Sequence, residues 1–215
     1  MRFKDRTEAG QKLARALARY RHLPGVVYPL PRGGVVLGVE IARYLQMPLD
    51  LIIPRKIGHP RNPEYAIGAV TETGEMICNE REIARVDPHW LEQRVALERQ
   101  EARRRREQYL GTNEPVAVTG KLAILVDDGI ATGLTMRAAI AEVKRRRPAS
   151  VVVAIPVSPK DTAELLAREV DAVVGLDITD FYWGAVGAYY EQFAQVTDEE
   201  VMDLLQRQQS RDDHD

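Results

Sequence analysis

The sequence predicts an α/β fold with a mainly parallel, twisted sheet flanked by helices. Three observations carry that expectation. Apolar strand-like runs alternate with amphipathic helical segments. Glycine-bearing turns lie between strand ends and helix starts. The chain has 215 residues, which suits one domain with a full core.

The elements follow in order. Residues 7–20 place Leu13, Ala16, Leu17 and Tyr20 on one helical face. Residues 26–30 read as a strand, and a glycine-started helix over 34–45 follows. Residues 49–54 read as a second strand. Segment 55–80 is turn-rich, with short strands at 66–71 and 76–79, and is expected to form a flexible lid loop. Asp87 and Pro88 supply an N-cap and a first helical residue for a long helix ending near Leu110. Leu122 to Val126 is an apolar strand, with a helix over 132–147. A strand at 151–156, a helix at 158–169 and a last core strand at 172–176 complete the sheet. A small hood is expected over about 177–209, closing with a helix at 198–208. The polar tail 210–215 is expected to fray. No repeat, linker or domain boundary interrupts residues 1–215.

Composition narrows the function classes. A net charge of −2 gives no global nucleic-acid signal. One cysteine, Cys78, excludes an internal disulfide and a cysteine-based zinc site and fits a reducing cytosol. No apolar run reaches membrane-spanning length, and no apolar stretch follows the first residues as a secretion leader would require. A cytoplasmic location without a membrane partner is therefore expected. The arginine runs at 103–106 and 145–147 read as solvated helix faces, the first paired through Glu101 and Arg105 and the second suited to a helix C-terminus. Neither is interleaved with aromatics, which disfavours nucleic acid as a partner.

The most informative stretch is Asp127-Asp128-Gly129-Ile130-Ala131-Thr132-Gly133-Leu134-Thr135, directly after Leu122–Val126. Free N–H groups at a helix start, together with the helix dipole, favour an anion. Two adjacent carboxylates accept hydrogen bonds from vicinal hydroxyls or help hold a hydrated Mg²⁺. A phosphorylated sugar meets both demands. A ligand-free βα turn with ordinary capping residues is the plain alternative.

This strand, acid pair, loop and Thr-Gly-x-Thr order resembles the 5-phosphoribosyl 1-diphosphate (PRPP) motif of type I phosphoribosyltransferases. The resemblance implies that Asp127 and Asp128 hold the ribose hydroxyls and approach a metal only indirectly, through water or ribose. It implies that Gly129, Ala131, Thr132, Gly133, Leu134 and Thr135 wrap the 5′-phosphate. Three further clusters look like parts of the same family. Arg32-Gly33-Gly34, after the first strand, is similar to its diphosphate loop, which in many relatives carries a strained or cis peptide. Arg32 and Gly33 would touch the diphosphate. Arg55 and Lys56, at the start of the lid segment, are candidates to reach the leaving group, with His59, Arg61 and Glu64 as lid contacts. Phe181 or Tyr182 is similar to the aromatic that stacks on the acceptor base in purine-salvage relatives. Each cluster has its plain reading: a solvated turn, a surface hairpin, an aromatic plug or a subunit contact.

The implied reaction is Mg²⁺-dependent transfer of ribose 5-phosphate from PRPP to a nitrogenous base, in nucleotide salvage, with Arg32, Arg55 and Lys56 as the catalytic cations. The departure is Ala131. Purine relatives often carry a carboxylate there that handles the proton of the base. The acceptor and the proton carrier are thus left open, and so is the oligomeric state, a homo-oligomer included. A non-catalytic sensor of PRPP or nucleotides on the same fold is the alternative, followed by a scaffold whose loops bind nothing.

Overall fold

The computed structural model describes residues 1–74 and 76–212. Strands β1 (Gly25–Pro29), β5 (Leu122–Val126), β6 (Ser150–Pro159) and β7 (Ala172–Thr179) form one parallel sheet in that spatial order. Helices α1 (Arg6–Ala16) and α2 (Gly33–Leu45) pack on one face, and α5 (Leu134–Arg145) and α6 (Lys160–Ala167) on the other. Strand side chains alternate between the two faces. Val27, Ile124 and Val126 join Leu13, Leu37 and Ile41, whereas Val26, Tyr28, Ala123 and Leu125 join Met136, Ile140 and Leu166. A sheet covered on both faces needs continuous apolar strands, which explains why β1 and β5 are buried at every position.

The ends of elements are set locally. The Asp5 carboxylate accepts from the Glu8 amide at 2.8 Å and caps α1. The long helix α4 (Pro88–Leu110) starts as expected, with Asp87 accepting from the Trp90 amide at 2.8 Å. Helix α7 (Asp198–Asp212) includes the first three residues of the segment expected to fray, 210–212; residues 213–215 of that tail lie outside the described residues.

Four expectations are corrected. Residues 49–54 do not make a regular strand. Leu49 bridges Val27, but the Asp50 carboxylate takes the next amide, Leu51, at 2.7 Å and diverts the ladder. Segment 55–80 is more regular than expected: β3 (Asn62–Val70) and β4 (Ile77–Cys78) overlap the strands expected at 66–71 and 76–79, but an unexpected β2 (Arg55–His59) joins them in an antiparallel sheet, and the short helix α3 (Glu80–Ile83) follows. Its Ile57, Ile67 and Val70 pack with Trp90, Leu91 and Val95 of α4, a partnership distant in sequence. Strand β6 continues to Pro159 and β7 to Thr179, because the two remain paired to that point. Finally, Arg106 and Arg146 are not solvated. They enclose the buried Asp50, at 2.9 and 3.4 Å, and Arg106 also donates to the Leu51 carbonyl at 2.6 Å. The Glu101 pairing holds: Arg104 and Arg105 bond its carboxylate at 2.7 and 2.8 Å and draw its pKa down to about 2.

The small sheet is bolted to this charged knot. Carbonyls of Glu72, Thr73 and Gly74 accept from Arg103, Arg145 and Arg99 respectively. Glu142 of α5 accepts from the hydroxyls of Thr71 and Thr73 at 3.0 and 2.8 Å.

Candidate functional site

The acid pair lies at the carboxyl edge of the sheet, where ligands collect in open α/β folds. Strand β5 ends at Val126 and the chain turns through Asp127, Asp128 and Gly129 before α5. Neighbouring strands and helices fix this loop. The Ile130 amide donates to the Val157 carbonyl at 3.0 Å, and the Thr162 hydroxyl donates to the Ala131 carbonyl at 2.9 Å. Gly133 caps α5 at φ 77°, a left-handed conformation that glycine adopts without a steric cost. The first amides of α5 lack intrahelical acceptors, so the loop ends on donors suited to an anion. Thr132 is exposed, and Leu134 and Thr135 are half-buried at that helix start.

The Arg32-Gly33 turn presses against the acid pair from β1. The Leu30 amide donates to the Val126 carbonyl at 2.8 Å, and the Pro31–Arg32 peptide is cis. A Cβ at Gly33 would lie 2.0 Å from Asp128 Oδ2, so only glycine lets the turn and the Asp128 carboxylate come this close. Arg32 itself reaches away, 3.8 Å from Asp198 of α7.

Asp127 and Asp128 are half-buried side by side. Burial raises the pKa of both, and the negative charge of Asp128 raises Asp127 further. Arg6 opposes the rise at Asp128, with its Nε 2.7 Å from Oδ2. Tyr190 donates its hydroxyl to the Asp128 carbonyl at 2.6 Å. Burial and the charge of Asp128 push the Tyr190 pKa upward, so it stays a protonated donor.

A carboxyl raised in the folded state favours folding only at low pH, and that contribution disappears as pH rises through the folded pKa. Ionised Asp127 therefore costs stability near neutrality. Asp127→Asn keeps an oxygen for the Asp128 amide, which donates to Asp127 at 2.9 Å. The variant is expected to melt higher than wild type at pH 8, by about 2–4 °C for each kcal/mol relieved. The gain should shrink as pH falls toward the ordinary carboxylate range near pH 4. Calorimetric melting across pH checks this; an unchanged or lower melting point at pH 8 refutes it.

Arg55 and Lys56 are engaged on the hairpin side. Arg55 pairs with Glu98 of α4 at 2.8 Å and Lys56 with Glu64 at 3.4 Å. No hydrogen bond or ion pair among the described residues joins them to the acid pair. Their neighbours His59 and Arg61 share a bond at the hairpin tip. Phe181 projects into solvent, 85% exposed. Tyr182 instead stacks on Tyr189, ring centroids 5.6 Å apart, with its hydroxyl buried and without a hydrogen-bond partner among the described residues. Trp183 covers Tyr189 at 4.6 Å.

Arg6 and the detailed role of Tyr190 escaped the sequence reading. Arg6 sits 122 positions from Asp128, and nothing in its local context sets it apart from the chain's other arginines.

Fold and site together define an open α/β protein with an acid pair and a glycine-gated helix start at its sheet edge. The family model described as "Phosphoribosyl transferase domain" matches residues 3–192, and the chain belongs to that family. Two Mycobacterium tuberculosis proteins, from strains CDC 1551 / Oshkosh and H37Rv, bear the provisional name phosphoribosyl transferase. Each is 38% identical over 210 residues, covering 95% of this chain and 46% of the relative. The chain thus spans about half the length of these relatives. The crystal structure of TT1426 from Thermus thermophilus is 44% identical, covers 96% of this chain and 99% of that one, and superposes with a TM-score of 0.79. The AQ2163 protein of Aquifex aeolicus, 10% identical with a TM-score of 0.50 and 93% and 84% coverage, shares the fold alone. No helix of the described residues is long and apolar enough to cross a membrane.

Proposed function

We propose that the chain transfers ribose 5-phosphate from PRPP to the ring nitrogen of a base and releases diphosphate. The observation that carries this reading is the acid pair placed between the Gly33 backbone and the Gly133-capped start of α5. One end of that arrangement suits sugar hydroxyls and the other a phosphate.

In this reading Asp127 and Asp128 accept hydrogen bonds from the ribose hydroxyls. The loop from Gly129 through Ala131, Thr132, Gly133, Leu134 and Thr135 holds the 5′-phosphate. The base nitrogen forms a bond to ribose C1 as the C1–oxygen bond to diphosphate breaks, and the electron pair leaves with the diphosphate. The transition state resembles an oxocarbenium ion, so fixed geometry and charge at the leaving group supply most of the rate. Gly33 and Arg32 stand on the diphosphate side, with Arg32 exchanging Asp198 for the leaving group. Arg55 and Lys56 serve only if the hairpin releases Glu98 and Glu64. Phe181, exposed beyond β7, is better placed than Tyr182 to stack on an incoming base.

No cluster of three His, Cys, Asp or Glu among the described residues could hold a metal by itself. Two carboxylates beside a phosphate loop nevertheless fit Mg²⁺, which keeps its waters and takes oxygens from a substrate. When bound it would neutralise charge growing on the diphosphate.

A second reading, a sensor that binds PRPP or a nucleotide without turnover, is favoured by Ala131, which offers no group to take a proton, and by the prior engagement of Arg55 and Lys56. One experiment separates the two. The protein is incubated with PRPP, Mg²⁺ and a broad panel of bases, and diphosphate release is followed. Release with at least one base is the expected result. Tight PRPP binding with silence across the panel would move the assignment to the sensor, and no PRPP binding would remove both.

A further inference from the structure

Asp128 is gripped by segments from opposite ends of the chain. Phe3 bridges Tyr190 in parallel, and the Glu191 amide donates to the Phe3 carbonyl at 2.8 Å. This short pairing delivers Arg6, the first residue of α1, and Tyr190 to the same aspartate. Arg6 is enclosed, its side chain 11% exposed. Its Nε bonds Asp128 Oδ2 at 2.7 Å, a terminal nitrogen bonds the Ala194 carbonyl at 2.7 Å, and the guanidinium lies 3.8 Å over the Phe193 ring. Gly33 closes the side of Oδ2 that Arg6 leaves open. The Asp128 amide donates to Asp127 and the Asp128 carbonyl accepts from Tyr190. Oδ1 accepts from no N–H group of another residue among the described residues.

We propose that Arg6 is a positioning residue that holds the Asp128 carboxylate against Gly33, so that its remaining oxygen is presented to the pentose hydroxyls. The role rests on the pentose-phosphate reading above. A carboxylate beside a like charge turns away unless something opposes the repulsion, and Arg6 is the cation bonded to it. With two nitrogens committed and one face covered by Phe193, Arg6 acts on the ligand through Asp128. The same guanidinium ties the segment after Phe181 to the ribose anchor, so acceptor side and donor side share one support.

A purely structural staple makes a different prediction, which a double-mutant cycle reads directly. PRPP affinity is measured by calorimetry with Mg²⁺ on the full chain. Arg6→Gln should weaken binding about tenfold in the wild-type background and less than about twofold in an Asp128→Ala background, because its target is then gone. Arg6→Lys, which keeps the charge but loses the fork, should recover part of the loss. Equal losses in both backgrounds, or unchanged affinity in Arg6→Gln, would overturn the role. If either variant fails to fold, Arg6→Lys with Asp128→Asn supplies the same comparison. A wild-type protein that binds no PRPP would sink the pentose reading itself, and the role with it. A wild type that binds, with equal losses in both backgrounds, sinks the Arg6 role alone.

Discussion

Gly33→Ala is expected to lose PRPP binding by at least about tenfold, equivalent to about 1.4 kcal/mol, while the protein still folds. The added methyl would stand 2.0 Å from Asp128 Oδ2, 2.7 Å from its Cγ and 2.9 Å from Arg6 Nε. Carbon and oxygen do not tolerate such distances, so something moves. The flanking backbone is held by the Leu30–Val126 and Gly34–Leu30 hydrogen bonds. The cheapest response is therefore rotation of the Asp128 carboxylate away from Arg6. That leaves the core untouched and disorganises the anchor. Calorimetric titration with PRPP and Mg²⁺ checks affinity, and a melt without ligand checks the fold. An affinity within twofold of wild type would show that Asp128 does not hold the ligand in the orientation seen here.

The largest effect on stability is expected at Asp50. This aspartate is 2% exposed. It accepts from the amides of Leu51 and Val116 at 2.7 and 3.1 Å and faces Arg106 and Arg146. Removing one member of a buried ion network leaves the others charged and uncompensated, at a cost of about 3–5 kcal/mol. Two amides also lose their acceptor. Asp50→Ala should therefore lower the melting temperature by roughly 10 °C, taking about 2–4 °C per kcal/mol for a chain of this size. Chemical denaturation gives the free energy. A loss below about 1 kcal/mol would mean that Arg106 and Arg146 find water or the neighbouring acids at little cost.

Legibility in the sequence followed the range of the interactions. The β5 run, the Asp87–Pro88 start of α4, and the acid pair with Gly133 are decided by residues within one turn of each other. All were readable, and β5 and the start of α4 stand where expected. Strand β2 and its pairing with β3 were not, although part of β3 was. Gly58 and Gly68 break the alternation of apolar residues, and what makes strands there is the packing of Ile57, Ile67 and Val70 on Trp90, Leu91 and Val95, side chains distant in the chain. Asp50 looked like one polar residue inside a strand because its partners, Arg106 and Arg146, are 56 and 96 positions distant. Arg6 was invisible for the same reason. Spacing reveals a motif; it cannot reveal which distant cation has been recruited to steady it.

The Phe3–Tyr190 bridge bears on the order in which the pocket is completed during synthesis. A ribosome delivers the β1 turn, the acid pair and the phosphate loop well before residue 190 emerges. The nascent chain can thus close its central layer while the aspartates still lack their tyrosine donor and the backing of Phe193 and Ala194. Joining points so far apart adds little entropy beyond that of a moderate loop, because the cost grows only with the logarithm of length. A chain halted before that segment would hold its central sheet but lack two things at once: the hydroxyl that steadies Asp128 at the binding edge, and the Val196, Val201 and Leu205 side chains that close a separate cluster against α2 and α4.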